Sequence, residues 1–118
     1  MEKLSPAEEE VMQAIWHTGG GFIRDFVSAM KAPPAYTTVA STVKNLERKG
    51  FVRSKRMANS YWYQPAISIE AYQRNHFSHI AKDYFSNSYK EMVSFFAQEQ
   101  KISPEELKEI IAMIEQKK

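Results

Sequence analysis

Residues 36–65 read YTTVASTVKNLERKGFVRSKRMANSYWYQP, and within them the hydrophobic period changes from that of a helix to that of a strand. Val39, Val43 and Leu46 recur at the spacing that places them on one face of a helix. The spacing predicts a helix over residues 36–49, and Gly50 stands where such a helix ends.

The chain after Gly50 follows a period of two instead. Val52, Ser54 and Arg56 alternate with Arg53 and Lys55, and the aromatic run Tyr61-Trp62-Tyr63 forms a second β-rich segment that Pro65 ends. Residues 57–60, which read MANS, supply the turn between the two segments. The pattern therefore predicts a β-hairpin directly after the helix.

Two further helices are predicted upstream. Ser5, Pro6 and Glu8 form the capping-box sequence of a helix start, and the three glycines at 19–21 stop that helix. A shorter helix is predicted over residues 23–30, before Pro33 and Pro34. Three helices followed by a hairpin is the order of a winged helix-turn-helix, so the predicted fold class is mainly α with a small β-hairpin wing.

The remainder of the chain is predicted to be helical. A helix capped by Ser68 reaches about Ser86, a second contains the apolar cluster at 92–96, and a third starts with the capping box of Ser103 and Glu106. We therefore expect a winged helix-turn-helix DNA-binding domain over residues 1–66 and a helical dimerisation domain over residues 67–118.

The composition excludes several classes of protein. A chain of 118 residues, 43% hydrophobic and 25% charged, has the length and composition of one globular domain, or of a small domain with an appendage. The absence of cysteine excludes disulfides, thiolate zinc sites and cysteine nucleophiles. Residues 1–10 carry glutamates where a signal peptide needs a basic start, and no apolar run reaches about 18 residues, so we expect a cytoplasmic protein with no membrane partner.

The charge of the chain is concentrated in the segment that decides the fold. The net charge of the whole chain is only +2, but residues 35–64 contain six basic side chains and the single acidic Glu47, a net of +5. A polyanion such as nucleic acid is the partner that such an asymmetry favours. A solvated basic surface is the alternative.

The helix at 36–49 is placed as a recognition helix for the major groove of double-stranded DNA. Its first turns offer hydroxyls and methyls for base edges, while its later cations and the wing suit phosphates. The residues expected to contact DNA are Tyr36, Thr37, Thr38, Ser41, Thr42, Lys44, Arg48, Arg53, Lys55, Arg56, Asn59 and Tyr61. Lys49 is also expected at the backbone, whereas Thr37 and Thr38 have helix capping as an alternative role.

The last fifty residues hold more large apolar groups than short helices can bury within one chain, which predicts a partner that covers some of them. The predicted interface residues are Phe85, Val93, Phe96, Leu107, Ile110 and Ile114.

Several stretches resemble the family of penicillinase, methicillin-resistance and copper-responsive repressors. They are LSPAEEEVM at 4–12, Ile15-Trp16, YTTV at 36–39, LERKGF at 46–51 and Tyr61-Trp62-Tyr63. The resemblance covers nearly the whole chain and implies a homodimer whose winged helices bind a palindromic operator while C-terminal helices form the interface. Copper sensing through thiolates, known in one branch of that family, is excluded because this chain has no cysteine.

The resemblance also implies a sensor protease as a partner, which relieves repression by triggering a cut at an Asn-Phe bond near the C-terminal helices. The matching dipeptide here is Phe95-Phe96, and neither Asn75 nor Asn87 stands in register. We expect both rings to be buried by packing, so that the intact protein resists cutting there and responds to another signal or to a protease of different preference.

An enzyme is not expected. His76 and His79 could share a metal ion, but no carboxylate completes a set on that face, and neither a phosphate-binding glycine loop nor a cofactor motif is present. The rival from a different class is a winged-helix protein-interaction module whose basic wing meets an acidic protein partner.

Overall fold

The computed structural model of the chain describes residues 1–117, which form six helices and one two-stranded hairpin. The helices and strands follow the order expected for a winged helix-turn-helix and a helical C-terminal region. Their bounds are α1 Pro6–Thr18, α2 Ile23–Ala29, α3 Tyr36–Arg48, β1 Val52–Met57, β2 Ser60–Pro65, α4 Ile69–Phe85, α5 Tyr89–Gln98 and α6 Pro104–Gln116.

The helix boundaries lie where the capping residues predict them. In α1 the Ser5 hydroxyl accepts the Glu8 amide at 3.1 Å, and the Glu8 carboxylate accepts the Ser5 amide at 2.8 Å. Gly19 ends this helix at φ 80, a left-handed conformation that glycine adopts without a steric penalty. Ser103 and Glu106 form the same reciprocal pair at the start of α6.

The hairpin turns more tightly than the sequence predicts. Met57 pairs with Ser60 as the last rung of the ladder, so the loop is Ala58-Asn59 rather than all of 57–60. Ala58 takes φ 56, which a two-residue turn requires near this position. The hairpin is joined to the helices by a bridge in which Gly21 and Tyr63 exchange two backbone hydrogen bonds of 2.8 Å.

The core of the N-terminal part lies between α1, α2, α3 and the base of the hairpin. Phe26, Phe51 and Leu46 are at most 1% exposed, and the predicted face of α3 is wholly buried. Trp16 donates its indole N–H to the carbonyl of Ile67 at 2.9 Å, and Tyr72 of α4 packs against the rings of Trp16 and Phe51. The start of α4 therefore completes this core.

The chain divides into two compact units, residues 1–75 and the residues from His76 onward. The predicted boundary after residue 66 separates two proposed functions and stays a prediction. The division by packing falls later in the chain, because Ile67 and Tyr72 pack on the core of the first unit. In the second unit, Ala81 is the one apolar side chain that the structure buries among the residues up to 117.

One expectation about the second unit is wrong for the single chain. The sequence predicts that Phe95 and Phe96 are buried, but their side chains are 46% and 40% exposed. Their rings lie 5.6 Å apart between centroids, and Phe95 also contacts Phe85 at 5.9 Å. A helix of ten residues such as α5 has too few neighbours within this unit to cover both rings.

Candidate nucleic-acid interface

Helix α3 presents a polar and cationic stripe on the side opposite the core. Thr37, Ser41, Lys44 and Arg48 are all exposed, as their spacing predicts. Tyr36 and Thr38 are exposed beside them, whereas Thr42 is half-buried. The structure thus places six of the seven predicted contact residues of this helix on accessible surface.

The hydroxyls of this helix are not equally available. The Ser41 and Thr42 hydroxyls both donate to the carbonyl of Thr38, at 3.0 and 2.8 Å. The Thr42 hydroxyl is therefore held by the backbone one turn away, which leaves mainly its methyl for a ligand. Ala35 is the N-cap of α3, with no side-chain capping bond, so the alternative that Thr37 or Thr38 caps the helix is wrong.

The strand pairing separates the basic residues of the wing onto two faces. Arg56 is paired with Tyr61, on the same face as Val52 and Tyr63, which pack into the core. Arg53 and Lys55 lie on the opposite face because side chains alternate along a strand. All the predicted wing residues, Asn59 at the tip included, are exposed.

The face that carries Arg56 is the face that packs toward α3. Ser54 donates its hydroxyl to the Glu47 carboxylate at 2.5 Å, which fixes this face of the hairpin against the helix. Burial, followed by the nearby charge of Glu47, raises the pKa of the Tyr63 hydroxyl. Glu47, the single carboxylate between residues 35 and 64, is therefore engaged between helix and hairpin.

Lys49 does not belong to the exposed surface, contrary to the sequence-based expectation. Its ammonium lies 2.8 Å from the Glu8 carboxylate and donates to the carbonyl of Lys3 at 3.2 Å. Burial alone would raise the pKa of Glu8, but the hydrogen bond from Lys49, together with the Ser5 amide, holds that pKa below its ordinary value. Lys49 fastens the end of α3 to the start of α1.

A cleft beside α3 and the wing is lined by a basic residue that the sequence pattern does not place there. Its volume is 380 Å³, and Arg24 and Lys44 bring two cations to its lining. The remaining lining residues are Phe22, Ile23, Tyr36, Ala40, Asn59, Ser60, Tyr61 and Tyr63. Periodicity marks Arg24 only as a polar position on α2, so no sequence signal places it beside the wing.

The residues described give no support to a metal site. Among residues 1–117, no group of three or more histidine, aspartate or glutamate side chains is arranged to hold an ion, and His76 and His79 do not form part of one. Over the same residues, none of the helices combines the length and apolar character needed to span a bilayer.

Sequence comparison agrees with this geometry. The family described as penicillinase repressor matches residues 4–116, which include α3, the hairpin and all three C-terminal helices. The chain belongs to the penicillinase repressor family. It is accordingly a DNA-binding transcriptional repressor, which confirms the family and the function class predicted from its sequence motifs. No match to the chain is found among curated proteins.

Two solved structures are similar to this chain. BpsR of Bordetella bronchiseptica, whose structure concerns the regulation of its DNA binding by 6-hydroxynicotinic acid, matches with a TM-score of 0.51 and 15% identity, over 98% of this chain and 75% of that one. The transcriptional regulator Tm0710 of Thermotoga maritima matches with a TM-score of 0.44 and 18% identity, over 97% of this chain and 78% of that one. The first likeness supports the fold predicted here.

Proposed function

We propose that this repressor acts as a homodimer that binds a palindromic operator, with α3 in the major groove and the wing on the phosphate backbone. The exposed stripe of Thr37, Ser41, Lys44 and Arg48 carries the proposal. It contains no carboxylate, and it lies on a helix of 13 residues, long enough to occupy a groove.

The first turns of α3 read base edges. Thr37 and Thr38 offer exposed hydroxyls and methyls, and the exposed Ser41 can exchange its bond to the Thr38 carbonyl for one to a base. Thr42 contributes its methyl because its hydroxyl is held by the helix backbone. Lys44 and Arg48 lie further along the helix and bind phosphates.

Operator specificity tests this assignment. We expect Thr38→Ala and Ser41→Ala to weaken binding to the operator more than binding to random DNA, by roughly 1 to 3 kcal/mol for each hydrogen bond to a base that the substitution abolishes. Competition titrations with both DNAs measure the difference. An equal decrease on both would reassign the two residues to the DNA backbone or to folding.

The wing binds DNA in a way that does not depend on sequence. Neutralising Arg53, Lys55 or Arg56 removes a cation from one face or the other of the hairpin. Each change should reduce the slope of the logarithm of the DNA-binding constant against the logarithm of the salt concentration, by about 0.9 for each phosphate that is no longer neutralised. Slopes that stay unchanged for all three variants would remove the wing from the interface. The same titration excludes an acidic protein as the main partner if the wild-type slope on DNA is steep.

The second unit supplies the dimer interface. Val93, Phe96, Ile110 and Ile114 are between 40% and 56% exposed, and Phe85 and Leu107 are half-buried. Apolar surface of this extent on short helices favours a partner, and a second copy would hold two winged helices at a fixed separation on a palindrome. Further exposed apolar side chains extend the surface: Phe77, Tyr84, Tyr89, Phe95, Ile111 and Met113.

Relief of repression by a sensor protease would require the Phe95-Phe96 bond to open first. The bond lies inside α5, and a helical segment reaches a protease only after local unfolding, although both side chains are exposed in the single chain. We expect the intact protein to resist cutting there and to respond to another signal or to a protease of different preference. Treating cells with a β-lactam and analysing the protein by mass spectrometry tests this, because a fragment that ends at Phe95 would contradict it.

A further inference from the structure

Arg24 belongs to α2, outside the two elements that we propose to bind DNA, but it lines the same cleft as residues of α3 and the wing. Its guanidinium carbon lies 4.8 Å from the centroid of the Phe22 ring. The Phe22 ring in turn meets the Trp62 ring edge-on, with centroids 5.3 Å apart and an angle of 90°. Trp62, Phe22 and Arg24 therefore form a continuous stack from the wing to α2, and this stack restricts where the guanidinium can point.

Helix α2 starts without a polar capping side chain at its N-cap, residue 22. A helix usually begins with a polar side chain that caps it, but Phe22 is the N-cap of α2 and makes no such bond. The Asp25 carboxylate accepts the Phe22 amide at 2.8 Å instead. Asp25 thus closes this end of the helix, and Arg24 has no ion-pair partner within residues 1–117.

The cleft beside the stack has the chemistry of a phosphate site. Arg24 and Lys44 both line it, the polar side chains of Tyr36, Asn59 and Tyr61 share the lining, and no carboxylate does. The cations come from α2 and α3, while the tyrosine and asparagine at 59–61 come from the wing. A guanidinium offers a planar fork of donors that matches the oxygens of a phosphodiester.

We propose that Arg24 binds a backbone phosphate of the DNA in this cleft, and so extends the interface from α3 and the wing onto α2. The inference rests on the proposed function of the surface. The interaction is independent of sequence, because a phosphate presents the same oxygens at every base step. Its consequence is that α2, which the charge pattern alone does not mark, takes part in fixing the register of α3 on the duplex.

The test is a salt titration of full-length protein on mixed-sequence duplex DNA with three single variants. Arg24→Gln should flatten the logarithmic salt slope by about 0.9, the change expected when one phosphate is no longer neutralised. Arg24→Lys should keep the slope but bind more weakly at every salt concentration, because an ammonium lacks the planar fork. Lys31→Gln, a change of an exposed cation just beyond the other end of α2, is the matched control and should leave the slope unchanged.

The outcomes separate this inference from the proposed function. A wild-type protein that binds duplex DNA with a steep slope, together with an Arg24→Gln variant of the same slope, overturns the role of Arg24 alone. Equal flattening by Lys31→Gln also overturns it, because the effect would then belong to net charge. A wild-type protein without salt-dependent binding overturns the proposed function itself. Far-UV circular dichroism of each variant confirms that the fold is intact.

Discussion

The two compact units of the chain bury their apolar side chains to different extents. In the first unit, Phe26, Phe51 and Leu46 are at most 1% exposed, packed between three helices and the base of a hairpin. In the second, Tyr84 is 78% exposed and Ile114 is 56% exposed, although the helices that carry them also have apolar side chains at helical spacing. An amphipathic face thus predicts that a surface will be covered, but not whether the same chain covers it.

The largest expected effect separates the two units by stability. Phe26→Ala should lower the free energy of unfolding by about 3 to 5 kcal/mol, because it leaves a cavity in a filled core. Phe96→Ala is the matched change in the second unit, where the ring is 40% exposed, and should lower the stability of the monomer by less than about 1 kcal/mol. Denaturant titration at low protein concentration measures both. Similar decreases for the two variants would show that Phe96 belongs to a core within the chain.

A second prediction concerns assembly. Ile110→Glu combined with Ile114→Glu adds two carboxylates to the exposed apolar face of α6, and should convert the proposed dimer to monomers with little change in helix content. Binding to a palindrome should then fall by about 10² to 10⁴-fold, to the affinity for an isolated half-site, because the second half-site is no longer linked to the first through the protein. Analytical ultracentrifugation and operator titration check the two parts.

Lys108→Glu is the control for that prediction. It lies on the same helix and outside the apolar face, so it changes the charge without touching the surface assigned to the dimer. The proposal for this interface fails if the double variant stays dimeric at micromolar concentration. It fails equally if the wild-type chain is a monomer that binds the palindrome with full affinity.

The next prediction compares two glutamates that cap helices in the same way. Glu8→Gln keeps the capping box of α1 but removes the ion pair with Lys49, and should lower stability at neutral pH by about 1 to 3 kcal/mol. Glu106→Gln keeps the capping box of α6, where the carboxylate has no such partner among the described residues, and should change stability by less than about 0.5 kcal/mol. Thermal unfolding at pH 7 measures the difference.

The same pair predicts the response to acid. Because the pKa of Glu8 in the folded protein lies below its ordinary value of 4.5, the unfolded chain takes up a proton first as the pH falls. The stability that Glu8 contributes is therefore complete above its ordinary pKa and is lost as the pH falls through the lower folded pKa. Wild-type stability should decline more steeply than that of Glu8→Gln below about pH 4.5. Parallel curves would contradict the lowered pKa.

The smallest expected effect compares two backbone positions. Ala58 in the hairpin turn and Gln100 after α5 both have left-handed conformations, with φ 56 and φ 59. A glycine relieves the crowding of Cβ against the backbone there, so Ala58→Gly and Gln100→Gly should each stabilise the unit that contains them, by about 0.5 to 1 kcal/mol. Hydrogen exchange resolves the two increases. A decrease in stability at either position would place another constraint on that turn.

Most of the fold could be predicted from the sequence because its signals are local. The caps at Ser5, Ser68 and Ser103 and the glycine at 50 lie within a few residues of the helix ends that they specify. The tight turn at 58–59 could not, since Met57 and Ser60 belong to the ladder only through the pairing of the two strands.

The sequence predicts those residues of the candidate site that lie on the exposed stripe of α3 and on the wing. It does not predict the residues whose position depends on contacts between distant segments. The position of Arg24 depends on the packing of Phe22 on Trp62, which are far apart in sequence. In the sequence Lys49 is one more cation of a basic segment, and only its ion pair with Glu8 removes it from the surface proposed to bind DNA. The assignment of individual DNA contacts stays a prediction.

The two capping boxes separate what the sequence determined from what the tertiary structure decided. Ser-Pro-Ala-Glu at 5–8 and Ser-Pro-Glu-Glu at 103–106 both determine a helix start, because a hydroxyl and a carboxylate three residues apart satisfy local backbone amides wherever they occur. Only the packing of α3 against α1 brings Lys49 to Glu8 and buries that carboxylate, while Glu106 remains exposed. Hydrogen bonds within one turn follow from the order of the residues, whereas the burial and the pKa of a carboxylate depend on which distant segment of the chain packs against it.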